Sequence, residues 1–217
     1  MNETRIETLS KLIYIFLYIS LILGFYLNED LAGGAIMDLN VHIPLLNSFK
    51  ENFVFTFLNY QEFETDHSPF YWGFINFINI PFYEVEFTFN KNLVYGDQLI
   101  ELYQKEYNAL RLVYLHICLL APFIFYKCLK IKFKDCNKGI LIILSSLLLI
   151  SPYFRAYAIW LGETNLALLF LLSSFYFFLK LHEEKKIKKK YLFIVLNVLF
   201  FALAAYCRPI YSLISIY

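Results

Sequence analysis

Long apolar runs alternate along this chain with short charged stretches, and the length of the runs sets its class. Leu12 to Leu27, Ala109 to Leu129, Gly139 to about Tyr153, Thr164 to Leu181 and Tyr191 to Tyr217 are each bounded by charged or polar residues. A helix needs about 17 to 25 residues to cross the hydrocarbon core of a bilayer. The pattern therefore predicts an all-α fold: a polytopic transmembrane helix bundle of about five spans, a single membrane domain over residues 1–217, with the first and third spans short.

Residues 28–107, between the first two runs, predict structure of their own. Residues 45–60 are too aromatic for a solvated loop, and Asn92 to Asn108 set Leu93, Leu99, Leu102 and Tyr103 among charges at near-helical spacing. Both segments read as short amphipathic helices lying in the interface. Between them, Ser68 is a good N-cap and Pro69 a good first helical residue, so an aromatic helix is expected to run to about Ile80.

Composition agrees with the membrane reading: mean hydropathy is +0.55 and 20% of residues are aromatic, far from a soluble domain. Charge then orients the spans. One short loop holds Lys127, Lys130, Lys132, Lys134 and Lys138, and another holds Lys180, Lys185, Lys186, Lys188, Lys189 and Lys190. Positive residues are retained on the cytoplasmic side, which puts both loops and the N-terminus inside and residues 28–107 outside, at a cytoplasmic (inner) membrane. That insert carries twelve carboxylates against Lys50, Lys91 and Lys105, so a net charge of +1 conceals an acidic outside and a basic inside. Topology and anionic lipid account for the basic runs, and nucleic acid is not an expected partner.

Lys11 before the first run and Ala32-Gly33-Gly34-Ala35 after it have the outline of a cleaved signal peptide. Glu29 and Asp30 sit where a cleavage region is neutral, which favours a retained first helix. Four cysteines, two in spans and two in a lysine-bearing loop without C-x-x-C spacing, imply neither a disulfide framework nor a metal site. The fifth run reaches Tyr217 without a polar stop, as expected of a chain cut within a longer bundle.

Candidate chemistry begins where the first span ends. Glu29 and Asp30 follow Leu27, and Asp38 lies behind the flexible Gly33-Gly34 pair, sharing a face with His42 if residues 35–43 are helical. A carboxylate at the membrane surface can take the proton of an attacking hydroxyl; alternatively, Glu29 and Asp30 terminate the span in water. Asp66 and His67 adjoin the helix start at Ser68-Pro69, whose free N–H groups suit an anion. No nucleophile elbow accompanies Ser68, so a hydrolytic triad is not supported. Arg155 and Arg208 belong near the outer ends of spans three and five, each beside a proline, where they meet a phosphate or snorkel to headgroups. Glu163 begins span four near Trp160; it is a helix-start acid or a ligand for a sugar hydroxyl, with Trp160 stacking on the sugar ring.

Together these residues resemble the GT-C class of membrane glycosyltransferases, which includes protein mannosyltransferases and the aminoarabinose transferase, and especially the bacterial group with an RgtA/B/C/D-like domain. The resemblance covers nearly the whole chain and matches the N-terminal part of such enzymes. His67-Ser68-Pro69-Phe70-Tyr71 is similar to the family's His-Pro-Pro-Leu-Tyr-like motif, with Ser for the first Pro. The family's early Asp-Glu or Asp-x-Asp appears here as Glu29-Asp30 in reverse order, with a separate Asp38. The resemblance implies that residues 28–107 are an external catalytic loop, with Asp38 as the favoured base and Asp30 second. Glu29, His42, Asp66, His67, Arg155, Glu163 and Arg208 would bind substrate. The implied donor is a polyprenyl-phosphate-linked sugar and the acceptor a glycan, lipid or protein hydroxyl, with no cofactor. The rivals are a transporter of lipid phosphate or a small anion, for which the spans offer only Arg111 and His116 in span two and no inverted repeat, and a catalytically inactive fragment.

Overall fold

The computed structural model describes residues 3–30, 35, 45–63, 68–79 and 97–216. These residues are helical apart from short connections. Four helices are long and apolar enough to cross a membrane, or five if a bent pair counts as one span, so the chain is a polytopic membrane protein.

The first span is longer than its apolar run: α1 covers Glu3–Tyr26, because Glu7 and Lys11 pair along one face at 2.9 Å and continue the helix below Leu12. Residues 45–51 form α2. Phe53–Leu58 form α3, begun by Asn52, whose Oδ1 accepts from Phe55 N at 3.0 Å. A 3-10 turn follows over Tyr60–Phe63, and Pro69–Asn79 form α4, starting at the predicted Ser68-Pro69 signal. Ser68 Oγ accepts from Phe70 N at 3.3 Å.

The segment expected as a separate interfacial helix near Asn92–Asn108 instead joins the second span from Asp97 onward. Helix α5 runs Asp97–Cys118 without a break at the apolar boundary. It yields to α6, Leu120–Lys132, at Leu119. Pro122 is the cause: it has no N–H for the carbonyl four residues earlier, that of Cys118.

The third span is not a single rod. Helix α7, Lys138–Ser146, tightens into a 3-10 turn over Leu147–Ile150, and after Ser151 the chain turns 63° into α8, Pro152–Ile159. Ser151 sits in the extended conformation that a following proline imposes, and its hydroxyl accepts from Phe154 N at 3.4 Å to start α8. Helices α9, Glu163–Glu183, and α10, Ile187–Cys207, form an antiparallel hairpin. The fifth span was expected to continue to Tyr217. It stops at Cys207, because Pro209 forces Arg208 into extended backbone, and a 3-10 segment follows over Pro209–Ile216.

Helix α1 packs on α7, α6 on α7 and α9, and α9 on α10. This order gathers the lysine loops and the start of α1 at one end, where Lys134 meets Glu183 at 2.7 Å. The opposite end collects the turns after α1, α8 and α10, with α4 packed against them and α2 against α4 through Asn76 Nδ2, which donates to Leu46 O at 3.1 Å. Helix α3 exposes Phe53, Val54, Phe55, Phe57 and Leu58, an apolar surface suited to the headgroup boundary.

Candidate functional site

Each turn at the end opposite the lysine loops is built by local chain chemistry. After α1, Asn28 takes a positive φ of 55°, a conformation asparagine tolerates, while Asn28 N donates to Phe25 O at 3.2 Å and Glu29 N to Gly24 O at 2.8 Å. This bond pair closes a helix by the Schellman pattern. Helix α8 ends similarly: Leu161 has φ 57° and Gly162 N donates to Tyr157 O at 2.7 Å. A leucine in that region costs on the order of 1–2 kcal/mol, so surrounding contacts must hold it. The buried Tyr71 hydroxyl donates to Leu161 O, and the Tyr114 hydroxyl donates to Gly162 O at 2.6 Å. Burial pushes the Tyr71 phenol well above its usual range, which keeps it a donor.

Arg111 ties the two turns together. Its Nε donates to Ile159 O at 3.0 Å, Nη1 and Nη2 reach Asn28 Oδ1 at 3.5 and 3.4 Å, and the guanidinium lies 3.8 Å from the Trp160 ring centroid and 4.9 Å from that of Phe25. A fully buried cation is thus spent on a backbone carbonyl at the end of α8, on the Asn28 side-chain oxygen in the turn after α1, and on two aromatic faces. The transporter reading had singled out this residue. His116, its companion there, binds its own helix through Leu112 O at 2.7 Å and meets Tyr18 Oη at 3.3 Å.

Of the sequence-predicted residues, Glu29 and Arg155 come together in a two-pronged ion pair, Nε to Oε1 at 2.5 Å and Nη2 to Oε2 at 2.6 Å. Arg155 also donates to Leu149 O at 3.3 Å and Ser20 O at 3.0 Å, stitching the bend of the third span to α1. The pair fits only because position 24 is glycine. A Cβ there would lie 2.3 Å from Glu29 Oε2 and 2.9 Å from Arg155 Nη2. Trp160 Nε1 donates to Glu29 O at 3.0 Å. The expected open face of Trp160 is therefore absent: the ring is buried against Arg111, with its polar edge turned to residue 29.

Glu163 and Arg208 make a second pair, Arg208 Nε to Glu163 Oε1 at 2.9 Å, with Thr164 Oγ1 accepting from Nε at 3.2 Å and Nη2 at 3.0 Å. Glu163 is buried, whereas the Arg208 side chain is 38% exposed. An open apolar groove of about 460 Å³ is lined by Ser68, Pro69, Ala202, Ala205, Tyr206 and Pro209, the last of which follows Arg208 in the chain. Asp30 is half-buried, with Oδ1 accepting from Ala35 N at 3.3 Å. Asp38, His42, Asp66 and His67 lie outside the described residues.

The sequence missed Gly24, Asn28 and Tyr114 as parts of this end, and marked Tyr71 only as the last residue of the His67–Tyr71 motif. An asparagine directly after an apolar run was the one available cue, since it suits the left-handed turn. Among the described residues no group of three or more His, Cys, Asp or Glu side chains could hold a metal ion. Comparison with family models, curated proteins and solved structures found no match to this chain.

Proposed function

We propose that this protein is a glycosyltransferase of the GT-C type, moving a sugar from a polyprenyl-phosphate donor to an acceptor hydroxyl at the outer membrane surface. The observation that carries the reading is the division of labour at the end of the first span. Glu29 is paired with Arg155, and the adjacent Asp30, half-buried with Oδ1 accepting from Ala35 N, lies at the bundle end that also carries Arg208 and the apolar groove.

The groove offers a lipid chain an apolar bed, and Arg208 offers its phosphate a cation already aligned by Glu163 and Thr164. Asp38 is the favoured base and Asp30 the second. The carboxylate takes the acceptor hydroxyl's proton as its oxygen bonds to the anomeric carbon; the bond from that carbon to the phosphate oxygen breaks with inversion, and polyprenyl phosphate departs. The arginine stabilises charge growing on the leaving oxygen. In this reading the lysine loops and the N-terminus face the cytoplasm and residues 28–107 face outside.

Transfer of radiolabelled sugar from polyprenyl-phosphate donors into membranes tests the proposal. The wild type is expected to transfer, and Asp38→Asn, or Asp30→Asn if Asp30 is the base, to lose about 10²- to 10⁴-fold in rate. Absence of wild-type transfer with every donor, in protein that still binds lipid phosphate, would reject it in favour of transport or an inactive fragment.

A further inference from the structure

Residue 29 is pinned at four points. Its N–H is held by Gly24 O, its carbonyl by Trp160 Nε1, and its two carboxylate oxygens by Arg155 Nε and Nη2. Arg155 itself is anchored to Leu149 O and Ser20 O, and the preceding residue, Asn28, is held by Arg111. The backbone that leaves this clamp leads directly to Asp30. We infer that Arg155 and Trp160 are positioning residues that fix, through Glu29, the turn leading into Asp30, and that Asp30, ranked second to Asp38 on the sequence, is the base this clamp serves. The inference rests on the glycosyltransferase reading.

The alternative role for Arg155 is direct capture of the donor phosphate. Its geometry opposes that. Nε and Nη2 are occupied by Glu29, Nη1 by a backbone carbonyl, and only 9% of the side chain is exposed. Recruiting it for a phosphate would require breaking a buried pair and leaving Glu29 charged and unpartnered, a change that costs several kcal/mol. Arg208 is also paired, with the buried Glu163, but its side chain is 38% exposed, so a phosphate can meet its open edge while that pair stays intact.

The two roles separate kinetically. A positioning residue lowers kcat and leaves the donor KM near its wild-type value, because misplacing a reacting group by about 1 Å costs about 10²-fold in rate. A phosphate ligand raises the donor KM. The experiment compares wild type, Arg155→Gln and Trp160→Phe in steady-state transfer, with hydrogen exchange of the amides of residues 28–30 measured on the same preparations. Trp160→Phe removes the hydrogen bond to Glu29 O, keeps an aromatic ring beside Arg111 and leaves the Glu29–Arg155 pair in place, so it reports even if Arg155→Gln folds poorly.

The expected result is a kcat loss of about 10²-fold in Arg155→Gln and a smaller one in Trp160→Phe, donor KM within about threefold of wild type, and faster exchange of the Glu29 amide in both. A raised donor KM with unchanged kcat and an unchanged Glu29 amide would overturn the inference while leaving the glycosyltransferase reading standing. Wild-type protein that transfers from no donor would overturn both, and the exchange data would then report a purely structural clamp.

Discussion

At the scale of single residues, the informative contrast is between Arg155 and Arg208, which looked equivalent in the sequence as arginines beside prolines. The fold gives each a carboxylate but buries one and leaves the other partly open. Their acids, Glu29 and Glu163, were also marked by the sequence, one for ending the first span and one for starting the fourth. The pairing was not legible, because Glu29 and Arg155 are 126 residues apart and meet only once α1 and the bend of the third span are packed. Gly24 shows how little tolerance the pairing has. Gly24→Ala is expected to displace Glu29 from Arg155 and lower stability by about 1–3 kcal/mol, the usual cost of overfilling a packed site, whereas an alanine at exposed Leu27 should be nearly silent. Reversible unfolding of both variants in mixed micelles measures the difference.

At the scale of elements, apolar run length gave the number of spans, and proline chemistry explains where the runs depart from single helices. The start of α4 was legible in Ser68-Pro69, since a cap and a preset φ act within a few residues. The break between α5 and α6 at Leu119, the 63° bend at Ser151 and the stop at Cys207 all precede a proline that sits inside a continuous apolar stretch, where hydropathy alone sees no boundary. The α9–α10 hairpin is held by a polar clasp on otherwise apolar surfaces. Asn197 Nδ2 donates to Ser174 O at 2.8 Å and Ser174 Oγ donates to Asn197 O at 3.1 Å. Asn197→Ala is expected to loosen the hairpin by about 0.6–2 kcal/mol, the range of hydrogen bonds between membrane helices, read as faster separation of the two helices by steric trapping. The α1–α7 contact is tighter still, with a Cβ on Gly139 falling 2.8 Å from both Ile6 Cγ2 and Ser10 Oγ.

At the scale of the whole molecule, charge sorts to opposite ends, and the proposed orientation follows from it. Cys136 lies in the loop between α6 and α7 and is half-exposed, while Cys118, Cys128 and Cys207 are buried. In intact cells a membrane-impermeant maleimide is expected to leave Cys136 unmodified and to label Leu58→Cys, placed in α3 at the opposite end, in a Cys136→Ser background. The reverse labelling would invert the topology and remove the outer-surface site. What the sequence by itself determined is the set of properties fixed over a short window of chain: helical class, number of spans, the lysine-bearing end and the start of α4. Bilayer thickness, charge retention and capping act on consecutive residues. Only the tertiary structure decided which arginine meets which acid, that Arg111 serves two helix ends, that Trp160 turns inward and that Asp30 leaves a clamped turn. Those outcomes depend on which helices pack together and how closely their backbones approach, and no local pattern records that.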